Sequence, residues 1–323
     1  MNLTRRQTLG AALGFGATAL LGSRAALAAA PISGVQAPAF FRSKLGDYEI
    51  TAISDGYGVY PKLDGFVKNA SVDDVRAVLA EQFLPTDRIQ IPFTTLVVNT
   101  GKKLVMLDAG NGDMAAPTSG VWMKNFRAAG FKPEDVDIIV FSHLHGDHVN
   151  GLRLKDGTAL FPNAEVKVHE AELKFWLGDA LDAKADPYTR NYAPNVQRVF
   201  GPIMKNLTMY KWDQEVAPGI TSIGAPGHTP GHSMFAIASG NARMMAVSDI
   251  TNVPYLFARR PDWAVMFDND PELARTTRHR VLDMMAAEKM HVGFYHASFP
   301  AFGTVIKDSK GYNLAPGFWN APV

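Results

Sequence analysis

Within the stretch Ser142-His143-Leu144-His145-Gly146-Asp147-His148-Val149-Asn150-Gly151, three imidazoles and one carboxylate fall inside six residues, directly after the apolar run Asp137-Ile138-Ile139-Val140-Phe141. A buried strand ends rigidly, and a short glycine-containing turn after it can aim alternate side chains at one point. His143 and His145 project to the same side, while Asp147 and His148, beyond Gly146, swing round towards a second point nearby. That geometry suits two adjacent metal ions. Zn²⁺ and similar borderline cations take neutral imidazole and carboxylate ligands, and a catalytic site keeps at least one position open to water. A lone histidine would read as structural, but four residues of metal-binding type in this register do not read as a polar strand cap.

Four residues cannot complete such a site, and the second half of the chain supplies partners. Ile220-Thr221-Ser222-Ile223-Gly224 reads as a strand leading into Ala225-Pro226-Gly227-His228-Thr229-Pro230-Gly231-His232. His228 comes first off that strand and is the better ligand; His232, at the entry to the next strand, has a supporting role. The strand Ala242 to Val247 ends in Ser248-Asp249, and the carboxylate of Asp249 can bridge two cations, which an imidazole cannot do. His291-Val292-Gly293-Phe294-Tyr295-His296 is a short strand ending in His296. Asp108, after Leu104-Val105-Met106-Leu107, is either a turn residue or a carboxylate that orients a metal-bound imidazole through its free N–H. His169 has no ligand spacing to anything, and His279, inside a helix among Arg and Thr, reads as a surface residue. Every candidate ligand thus falls at the carboxyl end of a predicted strand, so one edge of a sheet core would gather them all.

The elements that position these residues follow from the pattern. Tyr48 to Gly56 alternates with period two and ends in a turn signal. Ser71 to Phe83 reads as an amphipathic helix with Ser71 as N-cap. Ile91 to Thr100 and Lys103 to Asp108 form a hairpin-like strand pair. Further helices are predicted at Gly120 to Ala129, Glu170 to Leu177 and Pro271 to Lys289, and a strand at Ala164 to His169. Pro31 to Phe41 reads as an extended arm. Residues 178–207, polar and aromatic with Pro187, Pro194 and Pro202, read as a partly helical lid or pocket wall.

Composition bounds the rest. The 323 residues are 47% hydrophobic, enough for a sizeable core, and carry a formal charge of +1, so nothing points to nucleic acid. There is no cysteine, which removes disulfides, thiolate ligands and a cysteine nucleophile together. Thr4-Arg5-Arg6-Gln7-Thr8-Leu9 precedes a mild apolar run to Gly22, then Arg24 and Ala26-Leu27-Ala28-Ala29-Ala30. Paired arginines before a weakly hydrophobic stretch resemble a twin-arginine export signal over residues 1–30, cleaved near Ala28 or Ala30. The apolar span is shorter than the ~20 residues a bilayer needs, so no stable membrane span is expected. The expected mature chain, 31–323, is then a periplasmic or secreted domain whose export partner is the twin-arginine machinery. Whether it pairs as a homodimer is left open.

The ordered set His143-x-His145-x-Asp147-His148, His228, Asp249, His296, with Asp108-x-Gly110, resembles the metallo-β-lactamase-fold hydrolases over nearly the whole mature chain. Within them, Phe161-Pro162-Asn163-Ala164, Phe175-Trp176-Leu177, Pro226 to His232, Ser298-Phe299-Pro300 and Thr51 to Gly56 are similar to methyl parathion hydrolase and related exported lactonases. Gly146 departs from the proline often found there, which loosens the loop but removes no ligand. The resemblance implies an α+β fold, a four-layer αββα sandwich with metals in the groove at the sheets' edges. It implies two divalent ions, Zn²⁺ first and Mn²⁺, Co²⁺ or Fe²⁺ as alternatives. His143, His145 and His228 would hold one, Asp147, His148 and His296 the other, with Asp249 and a hydroxide between them.

The implied reaction is hydroxide attack on an electrophilic carbon or phosphorus of a small uncharged substrate. Asp249 and Asp147 are then the catalytic carboxylates, Asp249 also helping to protonate the leaving oxygen. Trp176, Phe299 and Phe302 would wall the substrate pocket, with Asp108 and His232 supporting the ligands. A lactone or aryl ester is the favoured substrate, with an organophosphate triester as the alternative. A di-iron redox protein and a non-catalytic metal binder on the same fold are the contrasting readings. The first would need a flavin partner domain that this chain has no residues left to build.

Overall fold

A computed structural model describes residues 32–178 and 187–318. The chain divides into a unit of residues 1–37 and one of 38–323, and the elements below all lie in the second. The proposed export signal lies outside the described residues, as do residues 179–186 of the expected lid. Among the described residues no helix is long and apolar enough to cross a membrane.

Two seven-stranded sheets form the frame. In the first, β1 (Phe40–Leu45), β2 (Tyr48–Tyr60), β3 (Ile89–Asn99), β4 (Leu104–Leu107), β5 (Ile138–Val140), β6 (Glu165–His169) and β7 (Thr208–Tyr210) lie side by side in chain order. Pairing is antiparallel from β1 to β4 and parallel from β4 to β7. In the second, β8 (Glu215–Ala217), β9 (Ile220–Gly224), β10 (Ser233–Ser239), β11 (Ala242–Ser248), β12 (His291–Phe294), β13 (Phe302–Asp308) and β14 (Gly311–Pro316) are likewise sequential neighbours. There β11 and β12 are parallel and the remaining pairs antiparallel.

Among the described residues seven α-helices accompany the sheets: α1 (Val72–Glu81), α2 (Trp122–Ala128), α3 (Gly146–Val149), α4 (Glu170–Leu177), α5 (Pro187–Phe200), α6 (Pro254–Phe257) and α7 (Pro271–Ala287). Side-chain alternation explains the layering, because successive residues of a strand face opposite ways. Val105, Leu107, Ile138 and Val140 meet Phe235, Ile237, Met244 and Ala246 between the sheets. Met106 and Ile139 turn outward onto Trp122 and Phe126 of α2, Leu173 and Trp176 of α4, and Val196, Val199 and Phe200 of α5. On the far side Met245, Val247 and Val292 pack on Val281, Leu282 and Met285 of α7. The result is the helix, sheet, sheet, helix sandwich that the motif order implies.

Local chemistry sets several boundaries. Ser71 caps α1 reciprocally with Asp74, Ser71 Oγ accepting the Asp74 N–H at 3.1 Å and the Asp74 carboxylate accepting the Ser71 N–H at 3.3 Å. The expected extended arm ends sooner than its composition suggests, because Phe40 and Phe41 already belong to β1 and pack on opposite faces of the first sheet. The described part of the expected lid is a packed wall: α5 buries Ala193, Val196, Val199 and Phe200 in the core.

Candidate metal centre

Parallel pairing puts the carboxyl ends of β4 and β5 together, and likewise those of β11 and β12, with β9 running in the same sense as β11. The turns after these strands carry Asp108, His143 to His148, His228, Asp249 and His296. The backbone is contorted at two of the ends: Asp108 has φ 64°, and Ser248 and Asn252, on either side of Asp249, have φ 47° and 44°. Left-handed conformations are rare for residues with a Cβ and occur where the surroundings fix them.

The seven expected ligands converge. Nitrogen and oxygen atoms of His143, His145 and His228 form one tight group, those of Asp147, His148 and His296 another, and those of His143, His148 and Asp249 a third between them, each group spanning no more than 4.8 Å. Asp249 reaches both ends: Oδ2 lies 2.9 Å from His296 Nε2 and 3.4 Å from His228 Nε2, and Oδ1 lies 3.2 Å from His148 Nε2. Asp147 Oδ2 stands 3.5 Å from His296 Nε2 and 3.6 Å from His148 Nε2.

The outer nitrogens show why these rings face inward. His148 Nδ1 is 2.8 Å from Asp108, His228 Nδ1 2.9 Å from Asp268, His296 Nδ1 2.7 Å from the Pro92 carbonyl and His143 Nδ1 3.0 Å from Ser142 Oγ. Each outer nitrogen can donate its hydrogen outward, leaving the Nε2 lone pair aimed at the centre. His145 is reversed, with Nδ1 inward, 3.0 Å from both His143 Nε2 and His228 Nε2. Three ring nitrogens at that spacing cannot all be satisfied by the few protons they could share. His148 Nε2 and Asp249 Oδ1 are also buried without a hydrogen bond. This donor set fits a pair of divalent cations.

The electrostatics agree. Burial, reinforced by neighbouring imidazoles, holds His143 and His145 well below the usual histidine range, so both are neutral donors. Burial also opposes charge on His148, but Asp147, Asp249 and Asp108 outweigh it and push its pKa well above the ordinary value. His296 is raised in the same way, chiefly by Asp249 against burial. Asp249 is held well below the usual carboxylate range, His296 and His148 overcoming its burial. A field that favours positive charge at this point also favours a metal ion.

The supporting residues include some that no motif marked. Asp108 accepts the Ser142 N–H and O–H, each at 2.8 Å, as well as facing His148, so it is more than a turn residue. His232 contributes from behind: its Nε2 accepts the Asp249 N–H at 3.1 Å, and its Nδ1 lies 3.0 Å from the Ala225 carbonyl. Asp268 was not foreseen, since it sits in the turn-like run Phe267-Asp268-Asn269-Asp270. It is fully buried between His228 and the buried Arg278, whose Nη2 lies 3.3 Å away. Glu172 lies in the helix predicted over Glu170 to Leu177, where no motif marks it. It is fully buried, which raises its pKa, and it accepts the N–H groups of Leu144 at 3.1 Å and Gly231 at 2.7 Å. One carboxylate thereby ties together the two loops that carry His143, His145 and His228. His169 and His279 stay outside the cluster, the first capping α4 and the second pairing with Asp262 at 2.9 Å.

A cleft of about 170 Å³ opens on the cluster, lined by His145, Asp147, His228, Asp249 and His296 together with Ile91, Phe93, Asn252 and Phe267. The aromatic residues expected in its wall are elsewhere. Trp176 is fully buried, its indole N–H donating to Glu172 at 2.9 Å and its ring packed edge-on against His145 from beneath. Phe302 lies in the core between the sheets, stacked on His291. Phe299 borders a different hollow, with Pro254, Tyr255 and Pro300. Aromatic type alone does not distinguish core from cleft; Phe93 reaches the cleft because β3 turns that face towards His296, whose ring is 5.6 Å away.

With this geometry in view, comparison with known proteins is decisive for the family. The profile of the metallo-beta-lactamase superfamily matches residues 90–289. The chain belongs to that superfamily. An N-acyl homoserine lactonase of Bacillus cereus is 22% identical over 262 residues, covering 75% of this chain and 93% of its own. Among solved members, AidC, a dizinc quorum-quenching lactonase in complex with the product N-hexanoyl-L-homoserine, superposes with a TM-score of 0.82 at 28% identity, covering 87% of this chain and 99% of its own. The hydrolase AbOPH, also of the beta-lactamase superfamily, gives a TM-score of 0.82 at 28% identity, with 88% and 100% covered. These superfamily relatives are hydrolases, two of them lactonases.

Proposed function

We propose that the chain is a dinuclear metal-dependent hydrolase that opens a lactone ring, with N-acyl homoserine lactones as its substrate class. The observation that carries this reading is the cleft itself: five of the seven clustered side chains, His145, Asp147, His228, Asp249 and His296, share its lining with Ile91, Phe93 and Phe267, and among the described residues no lysine or arginine lines it. Such a cleft accepts an uncharged, partly apolar substrate over an anionic one. The lactonase relatives support the same choice.

In this reading His143, His145 and His228 would hold one ion and Asp147, His148 and His296 the other, with Asp249 within reach of both groups. Two divalent cations, for which the nitrogen-rich set favours zinc, supply Lewis acidity towards a carbonyl oxygen and water acidic enough to ionise near neutral pH. Asp108, Asp268 and the Pro92 carbonyl fix the tautomer and orientation of three rings. Ile91, Phe93 and Phe267 seat the acyl chain and keep bulk water from the reacting carbonyl. An organophosphate triester is the second substrate reading, since it too is uncharged and compact and so suits the same cleft.

The test is a panel of N-hexanoyl homoserine lactone, an aryl ester, a phosphotriester and a β-lactam, with and without chelator. The lactone is expected to give the highest kcat/KM, activity being lost with chelator and restored by Zn²⁺, Mn²⁺ or Co²⁺. A phosphotriester outpacing the lactone would transfer the function to the second reading. Bound iron with oxygen consumption and no hydrolysis of any substrate would end the hydrolase proposal.

A further inference from the structure

The turn between β11 and α6 holds a side chain that the metal cluster does not explain. Asn252 is 3% exposed and lines the cleft, and its Oδ1 is buried with no hydrogen-bond partner. Its backbone is satisfied, the N–H donating to the Asp249 carbonyl at 3.2 Å and the carbonyl accepting from Thr251 Oγ1 at 3.1 Å. The unmet demand therefore belongs to the side chain. Asn252 also sits at φ 44°, where glycine would be free of strain and asparagine is merely tolerated. Backbone geometry thus accounts for the position being asparagine rather than a branched residue, but not for the presence of the amide.

The cleft gives the amide a use. Of the residues lining it, His145, Asp147, His228, Asp249 and His296 belong to the metal cluster, and Ile91, Phe93 and Phe267 are apolar. Asn252 is the remaining one, and it is polar. A buried acceptor left without a donor is unfavourable unless an occupant supplies one. We propose that Asn252 is the residue that selects substrates bearing an amide beside the lactone ring, its Oδ1 accepting the substrate N–H. This rests on the lactonase reading and deepens it: within the N-acyl homoserine lactone class already proposed, it assigns recognition of the amide N–H to Asn252, so that a lactone with a plain alkyl substituent is discriminated against. A site built to meet an N–H group rejects the analogue lacking it far more strongly than an apolar pocket rejects a missing methylene.

Binding tests this independently of ring opening. Calorimetric titration of the zinc-loaded protein with N-hexanoyl cyclopentylamide, and with the ketone in which CH₂ replaces the N–H, is expected to give a Kd about tenfold or more lower for the amide. In Asn252→Gly, which relieves the backbone while deleting the side chain, the two Kd values should converge. On substrates, the ratio of kcat/KM between N-hexanoyl homoserine lactone and an α-hexyl-γ-butyrolactone should fall in the variant. Equal affinity of the wild-type protein for amide and ketone would overturn the proposal without any variant, and so would a preference that survives in Asn252→Gly with zinc content unchanged. If the amide preference holds but no lactone is opened, Asn252 keeps its role and the lactonase reading fails instead.

Discussion

At the scale of single residues, the site depends on carboxylates that never face the cleft. Asp268 has its carboxylate fully buried, 2.9 Å from His228 Nδ1, and the buried Arg278 anchors it. Such a partner sets which nitrogen of the ring carries hydrogen and how strongly the other donates to a metal. Asp268→Asn keeps the shape, removes the charge and lets an N–H meet Nδ1, so His228 loses its fixed tautomer. Zinc affinity is expected to fall about 10- to 100-fold, read by competition with a chromophoric chelator. Asp262→Asn, at the exposed partner of His279, serves as the control. An Asp268→Asn protein that holds zinc as tightly as the control would show that the contact is structural only. The convergence of the seven candidate residues was legible because their chemistry and order are written in short motifs. Asp268 and Glu172 were not, because a buried carboxylate serving another residue carries the same letters as a turn or a solvated helix face.

At the scale of elements, the helices and strands next to the motifs followed from local signals, and the departures have physical causes. Glu170–Leu177 and the Ser71 cap were readable from propensity and capping chemistry. The three-residue strands β7 and β8 are too short to display a period, and β1 hid behind a Pro- and Ala-rich leader. Gly146 is instructive. The sequence suggests a loosened loop, yet Gly146 is the buried first residue of α3, and a Cβ built there would lie 1.7 Å from Tyr192 Oη and 2.8 Å from Asn150 Nδ2. The missing side chain lets α5 come close, with the Tyr192 ring 5.9 Å from that of His145. Gly146→Ala should therefore destabilise the fold by about 1–3 kcal/mol through overpacking, and by less in a Tyr192→Leu background. Urea denaturation of the four proteins in the double-mutant cycle measures the coupling. Strictly additive losses would mean that the two residues do not compete for the same space.

At the scale of the whole molecule, the seven clustered side chains come from two halves. His143, His145, Asp147 and His148 follow a strand of the first sheet, and His228, Asp249 and His296 follow strands of the second. Direct contacts between the halves exist without metal, such as the 2.8 Å hydrogen bond from Ser248 Oγ to Ser142 Oγ and the Glu172 clip to Gly231. The centre of the cluster is different: two carboxylates and five imidazoles are packed where burial penalises charge, and ring nitrogens face one another at 3.0 Å. Ions that bind only the folded arrangement stabilise it by mass action, by about 4 kcal/mol for a site held at a thousandfold excess over its Kd. In a domain of this size each kcal/mol moves Tm by roughly 2–4 °C. Stripping the metals should thus lower Tm by roughly 10 °C or more, and readdition of Zn²⁺ should restore it. Calorimetry paired with metal analysis by emission spectrometry checks this. A protein whose Tm is unmoved after its metal content has been shown to reach zero would mean that protein contacts alone hold the halves together, with the ions serving chemistry and not the fold.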